Sequence, residues 1–531
     1  MAGAGLAEAG PVIGEAGSAM LAPADRTGIP PGPVTTTPTD FRYRDLLFRT
    51  YNKRLVSQPD SVRVVGATAH VVQAVNDAVR NGKRVAVRSG GHCLDGLVDN
   101  ADAEVIIDFV EMRAITFDPA RNAFAIEPGA TMGEVYRTLC LGWGVTLPGG
   151  ICPAVGAGGH LIGNGFGALS RQHGLVADHL YAVEVVVVGS DGQARAVVAT
   201  REPSDPNRDL WWAHTGSGGG NFGIVTRFWL RSPNTASTNP SDLLPKVPGA
   251  LMIGRAVWSW ADLTEDSFVR LARNFGTWME QNSAPNAPGT ALYGALSAPR
   301  REHGQVLVAG QVDPTVAGNE QLLDSYLAAM TRDLTPQPQI IKSGRLPWLT
   351  STVNVPDSAV AAGVVGPPRL KANVAHLKMR LTDAQVARAY DHLTRTDYHN
   401  PASGITLHAY GGQINALSTT ATATPHRHSV MMLAVAATWD VPADDAQHLA
   451  WARECYRDLF TETGGVPVPN DAHDGCHVNW PNLDLLSPEW NRSAMSAQEL
   501  FHTSNYARLR EIKATWDPHD IFRHPLSIAL P

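Results

Sequence analysis

Two glycine-rich segments sixty residues apart each carry one nucleophilic side chain: R-S-G-G-H at 88–92 and G-G-I-C-P at 149–153. His92 and Cys152 stand where the backbone is bare enough to press against a large planar ligand. An imidazole and a thiolate are also the two side chains most suited to covalent bonds with an oxidised isoalloxazine ring. A ligand held by both would be tethered at two points. Glycines after a strand let backbone N–H groups converge on an anion, so Arg88, Ser89, Gly90 and Gly91 offer a nest that a pyrophosphate would fit. Residues 149–167 hold eight glycines in nineteen positions, among them Gly150, Gly156, Gly159, Gly163, Gly165 and Gly167, and 215–223 read T-G-S-G-G-G-N-F-G. Three such segments can line a long, flat dinucleotide. A Rossmann arrangement would place G-x-G-x-x-G after the first strand and at the start of a helix. Here the densest cluster follows a proline-containing loop deep in the chain.

The elements that must carry these segments read as alternating strands and helices between residues 57 and 232. Val85–Arg88 is a short strand ending in glycines, Val105–Asp108 and 124–127 are further apolar runs, and 131–140 has helical spacing. The β-branched run 183–188 ends in Gly-Ser-Asp-Gly, as a buried strand entering a hairpin does. Pro, Ser and Asn cluster at 234–248 and suggest a boundary. Beyond it, helical patterns at 264–281 and 383–393 mix with strands at 306–312 and 429–437, and a closing helix is expected near 504–516. The division expected is a tail at 1–40, a cofactor domain at 41–233, an α+β substrate domain at 234–469, and a segment 470–531 that returns to the cofactor domain.

At 531 residues the chain exceeds what one core usually supports. With 44% hydrophobic and 18% charged residues it reads as well buried, and its net charge of −7 gives no reason to expect nucleic acid or an anionic membrane as partner. No apolar run approaches the roughly 18 residues of a spanning helix. The first forty residues, with Glu8 and Glu15 and no basic segment ahead of an apolar stretch, read as a disordered or surface-draped tail rather than a secretory signal. Five irregularly spaced cysteines without a CxxC pair argue against a disulfide framework or structural zinc, and a cytoplasmic location fits. No metal-binding histidine pattern is visible.

The order of the segments carries more than any one of them. R-S-G-G-H, then G-G-x-C, then V-G-x-G-G-H-x-x-G-x-G-F-G at 155–167, then L-W-W-A-H-T-G-S-G-G-G-N-F-G-I-V-T at 210–226, resembles the berberine-bridge-enzyme-like branch of the vanillyl-alcohol-oxidase flavoproteins. Y-A-V-E-V-V-V-V, D-L-W-W-A-H-T-G and E-T-G-G-V-P-V-P-N-D look closest to bacterial hexose oxidases acting on the sugars of glycopeptide antibiotics. The resemblance implies a two-domain α+β fold of the PCMH-type FAD-binding class, with an antiparallel sheet roofing the flavin. It implies FAD joined through its 8α-methyl to His92 and through C6 to Cys152, with Gly223, Val225 and Asn479 also at the cofactor. His160 matches a histidine near the ribityl chain that helps stabilise the reduced ring. Val155 occupies the position of an oxygen gate, where a small side chain favours reoxidation by O2 to hydrogen peroxide.

Two departures from the pattern matter. Related sugar oxidases carry Tyr-x-Asn-Tyr near the C-terminus, and the second tyrosine takes the substrate proton; here residues 477–480 are His-Val-Asn-Trp. The indole of Trp480 is a donor only. Phe166 likewise replaces a tyrosine. Three readings stay open: His477 acts as base, Tyr410 does so from a substrate-facing strand with His408 on the same face, or the substrate needs a weaker base or none. Trp480 stacks on a flavin or sugar, or fills core. The reaction expected is oxidation of an alcohol on a secondary metabolite. Oxidative cyclisation or desaturation of a polyketide- or alkaloid-like product, and flavin sequestration without catalysis, are the rivals.

Overall fold

A computed structural model describes residues 33–354 and 368–531. The tail reading for residues 1–32 lies outside the described residues. Its last part does not hold: Val34–Thr36 is a strand, β1, paired antiparallel with β2 (Ser61–Val64). β-branched Val34, Thr35 and Thr36 suit a pleated edge, and that preference outweighs the prolines on either side.

Around β2 a small sheet forms in the order β1-β2-β4-β3, with β3 (Val85–Arg88) and β4 (Val105–Asp108) parallel to each other and β4 parallel to β2. The helix Thr68–Arg80 makes the crossover from β2 to β3 and buries Val71, Ala74, Val75 and Ala78. The loop after β3, which carries His92, therefore leaves the carboxyl ends of parallel strands, where α/β folds place their ligands. Arg88 braces it. Its Nε donates to Asp108 Oδ2 at 2.9 Å and its Nη1 to Asp99 Oδ1 at 3.2 Å, with all three side chains buried.

A second sheet runs β5-β6-β9-β7-β8: β5 (Ile115–Asp118), β6 (Ala123–Ile126), β7 (Leu180–Val188), β8 (Ala194–Thr200) and β9 (Ile224–Leu230). The expected strand at 183–188 is the C-terminal two-thirds of β7. Between β6 and β7 lies the helix Met132–Trp143, capped by Thr131 and Glu134 in a capping box and stopped by left-handed Gly144.

The third sheet is antiparallel throughout, in the order β13-β10-β12-β11-β15-β16-β14. Its strands are β10 (Met252–Ser259), β11 (Tyr293–Pro299), β12 (Gln305–Val312), β13 (Gln339–Lys342), β14 (Arg369–Leu377), β15 (Ser403–Ala409) and β16 (Met431–Trp439). Helices Glu265–Gln281, Asn319–Thr331, Asp383–Thr394 and Asp445–Leu459 pack one face through Phe268, Phe275, Leu323, Trp451 and their neighbours. The strands alternate: in β15, Ser403, Ile405, Leu407 and Ala409 are buried while Thr406 and His408 are half-buried on the opposite face.

The chain's last helix packs on the core of the second sheet through Leu509 and Ile512, while His473 and Gly475 pair with the end of β14. Lys513, in the helix Tyr506–Trp516, is fully buried and donates to Asn221 O at 2.8 Å, Asp517 Oδ2 at 2.6 Å and Phe522 O at 2.6 Å. Ile528 N donates to Asn221 Oδ1 at 2.9 Å. Among the described residues no helix is long and apolar enough to cross a membrane.

Lys513→Met removes three bonds and strands Asp517 in the interior. We expect a loss of about 3–5 kcal/mol, read as a lowered urea midpoint. A midpoint equal to wild type would mean that the C-terminal segment is held by its apolar contacts alone.

Candidate active site

One cavity of about 430 Å³ gathers the three glycine-rich segments. Arg88, Ser89, Gly90, Gly91 and His92 line it from the loop after β3, and Gly150, Cys152, Val155, Gly156, Gly159, His160, Gly165 and Gly167 from the second segment. Residues 217–220 with Gly223 and Val225 supply a further wall, and Val478, Asn479, Trp480 and 522–524 close it from the C-terminal segment. His92 and Cys152 thus face one space.

Glycine is required here for closeness. A Cβ on Gly156 would fall on the Gly90 amide nitrogen and Ser89 Oγ, and one on Gly90 would meet the Gly156 backbone. The two loops therefore touch main chain to main chain. Gly167 packs in the same way on Gly149 O, and Gly165 lies against the His160 ring. Gly163 lies off the cavity wall. Its missing side chain makes room for the Asn479 amide, whose Nδ2 donates to His160 O at 3.3 Å. Gly163 is thus a support for Asn479.

These residues fit a dinucleotide held by main chain. Arg88 commits its guanidinium to Asp108 and Asp99, and apart from it Arg523 is the one Lys or Arg side chain on the wall. A pyrophosphate there would be met by the bare N–H groups of the glycine loops. The His92 ring stacks on Tyr51 at 4.5 Å and 13°, which fixes its plane. Tyr136 Oη donates to Gly150 O at 2.6 Å, pinning the loop two residues before Cys152.

Gly150 N–H donates to His160 Nε2 at 3.0 Å, so the neutral ring carries its proton on Nδ1. Burial pushes this histidine down to about 4. It is an uncharged N–H donor at neutral pH, and any help it gives a reduced ring is that of a dipole, not of a cation.

The expected bases are displaced. Residues 477–480 are not extended. Trp480 N–H donates to His477 O at 3.0 Å, and this turn brings the two rings to 5.2 Å. Trp480 lines the cavity; His477 does not, being buried behind it and pushed down to about 3 by burial. Tyr410 is also off the wall. β15 ends at Ala409, left-handed Gly411 and Gly412 turn the chain, and the phenol packs against Phe166 at 5.3 Å and His376 at 4.9 Å. Tyr410 and His408 therefore do not share the substrate face: His408 lines the cavity and Tyr410 is core.

Sequence reasoning missed Tyr293. It lines the cavity from β11, and its Oη lies 2.9 Å from His408 Nδ1. No local pattern joins positions 115 residues apart; only the register of the third sheet does. His524 was also missed. It accepts from Leu526 N at Nδ1 and bonds Gly219 O through Nε2 at 3.1 Å, which fixes the turn of Gly218 and Gly220, both at positive φ.

Behind the wall sits a cluster of buried imidazoles. His376 and His426 stack at 4.1 Å, and His477 is 5.4 Å from His376. Both His376 ring nitrogens, His426 Nδ1 and His477 Nε2 have no hydrogen-bond partner. Burial, and then the neighbouring histidines, hold His376 well below its usual range. Among the described residues no three His, Cys, Asp or Glu side chains are placed to hold a metal ion.

Comparison with known proteins agrees with this geometry. The FAD binding domain family matches residues 59–196, and the berberine and berberine-like family matches 476–529. The aclacinomycin-N/aclacinomycin-A oxidase of Streptomyces galilaeus is 46% identical over 492 residues, covering 93% of this chain and 89% of that protein. The hexose oxidase of Chondrus crispus is 28% identical, covering 90% and 92%. A solved glycopeptide hexose oxidase in complex with teicoplanin superposes with a TM-score of 0.89 at 44% identity, over 94% of this chain and 99% of the other.

Two outcomes follow from the site. Gly156→Ala, which drives a methyl group into the Gly90 backbone, should yield protein purified without flavin colour, whereas Gly142→Ala, where nothing lies within 4 Å, should keep it; equal flavin absorbance in both would remove the case for main-chain contact. Acid should destabilise the protein early. The histidines near 3 to 4 in the folded state titrate near 6.5 when unfolded, so between those values the unfolded chain binds more protons and stability falls as pH falls. His376→Phe should flatten the fall in melting temperature between pH 6.5 and 4, and an unchanged slope would count against the cluster as its source.

Proposed function

This chain belongs to the berberine and berberine-like family of FAD-linked oxidoreductases, and within it we propose an oxidase with doubly tethered FAD that acts on an alcohol of a glycosylated natural product. The observation that carries the proposal is that His92 and Cys152, sixty residues apart in sequence, line one glycine-walled cavity. Bound there, FAD supplies a two-electron acceptor for hydride and passes the electrons on to O2, giving hydrogen peroxide. His92 would hold the 8α-methyl side of the ring and Cys152 its C6 edge. Both fix the ring plane at loops that main-chain contact has already made rigid.

The chain's own groups do the rest. His160 offers a neutral Nδ1–H donor beside the glycines. Val155 keeps the wall small next to Cys152, which leaves access for O2. Phe166 and Trp480, 6.2 Å apart, give flat apolar surface of the kind that packs against a sugar ring. A sugar hydroxyl is the substrate group favoured, because similar proteins are named for aclacinomycin and for the hexose of a glycopeptide. We place the enzyme in the cytoplasm, where its thiols stay reduced.

Mass and absorbance of acid-precipitated protein test the tethers. A yellow pellet heavier by one FAD is expected for wild type and for either His92→Ala or Cys152→Ala alone, and an apoprotein mass for the double variant. Peroxide release is then compared across aclacinomycin A, aclacinomycin N, teicoplanin and their aglycones. Turnover of aglycones alone would sink the sugar-hydroxyl reading, and a wild-type pellet of apoprotein mass would remove the covalent one.

A further inference from the structure

We propose that Tyr293 and His408 are the proton-accepting pair of this site: Tyr293 Oη takes the proton of the substrate hydroxyl while its own phenolic proton passes to His408 Nδ1. The inference rests on the oxidase reading above and assigns its base.

The third sheet puts the pair in place. Ala295 on β11 is registered opposite His408 on β15, and His408 opposite Met432 on β16. Tyr293 lies two residues before Ala295 and so shares its face, diagonal to His408. Tyr293, His408 and Met432 all line the cavity that His92 and Cys152 line. The opposite face of these strands is core, so the pair stands on a rigid, packed support rather than a loop.

Neither polar group is used to build the fold. Most buried tyrosines here spend the hydroxyl on structure, as Tyr326 does on Ala309 O and Tyr456 on Val374 O. Tyr293 Oη meets only His408 Nδ1, at 2.9 Å, and His408 Nε2 is neither hydrogen-bonded nor sealed in the core. Burial raises the Tyr293 phenol and lowers His408 to about 4, so at neutral pH both groups are uncharged; in the His408 tautomer protonated at Nε2 the phenol donates to Nδ1. A buried phenol alone has nowhere to put a proton. Coupled to a neutral imidazole, its oxygen can receive one proton as it gives up another.

Position separates this pair from its competitors. His408 lies 6.4 Å from Phe166, and Trp480 of the C-terminal segment lies 6.2 Å from the same ring. The cavity thus has a phenol on its sheet wall and, on its C-terminal wall, an indole that can donate but not accept a proton. His477 and Tyr410 lie behind that wall. In the reaction the carbinol C–H bond breaks with its electron pair leaving as hydride to the bound oxidised flavin. The O–H proton moves to Tyr293, the phenolic proton to His408, and the C–O bond becomes a carbonyl.

The test uses flavin-loaded full-length protein and the panel glycoside that bleaches the wild-type flavin fastest without oxygen. Tyr293→Phe and His408→Gln should each slow bleaching by about 10²–10⁴-fold, with flavin content and glycoside Kd within threefold of wild type. Bleaching at the wild-type rate in either variant overturns the assignment. A readout independent of turnover comes from ¹⁵N-histidine NMR, where loss of the hydroxyl in Tyr293→Phe should move the His408 Nδ1 resonance. An unmoved resonance overturns the pair. If no glycoside bleaches wild type, the oxidase reading fails by itself, and the resonance still decides whether the pair exists.

Discussion

Main-chain contact between the loop after β3 and the loop before residue 160 is the constraint from which the site follows. Gly90 and Gly156 touch because neither has a side chain, and that closeness brings the bearers of His92 and Cys152 to one wall. The same device repeats at Gly149 with Gly167. Each contact trades backbone freedom in the unfolded chain for shape in the folded one. The result is a surface of amide groups with few protruding atoms, which suits a flat anionic ligand better than a set of arginines would.

Charge is used for bracing instead. Arg88 ties Asp108 and Asp99 beneath the first loop, and Lys371 joins Asp95 at 3.0 Å and Asp484 at 2.9 Å, linking β14 to both the first loop and the C-terminal segment. Arg427 pairs with Asp178 in the same manner. Buried pairs of this kind are weak as sources of stability and costly to break, so they fix register rather than add cohesion. The groups left to face the ligand are mostly uncharged, and burial holds His160, His408, His502 and His524 among them neutral.

Local pattern was enough for the elements that carry the cofactor and not for those that face the substrate. The short strand Val85–Arg88 and the run Val105–Asp108 are read from the sequence with the bounds they have in the structure, because parallel buried strands are continuous apolar runs. The glycine clusters are equally plain. Tyr410 misleads because the two-residue period is extended past Ala409, where the chain turns at Gly411. His477 misleads because residues 477–480 form a turn that folds one ring behind the other. Tyr293 is silent in sequence: its meaning is set by a strand that arrives 115 residues later. The strand at Val34–Thr36 is hidden by the prolines around it.

The last wall of the cavity is made by residues 522–524 and Leu526, and Lys513 holds that wall to Asn221. The loops that carry His92 and Cys152 are one wall short of a complete cradle until this segment docks, and a chain cut before it exposes an open glycine-lined groove. A frameshift or early stop between residues 481 and 521 would give a polypeptide with both nucleophiles and most of the cradle but without that wall.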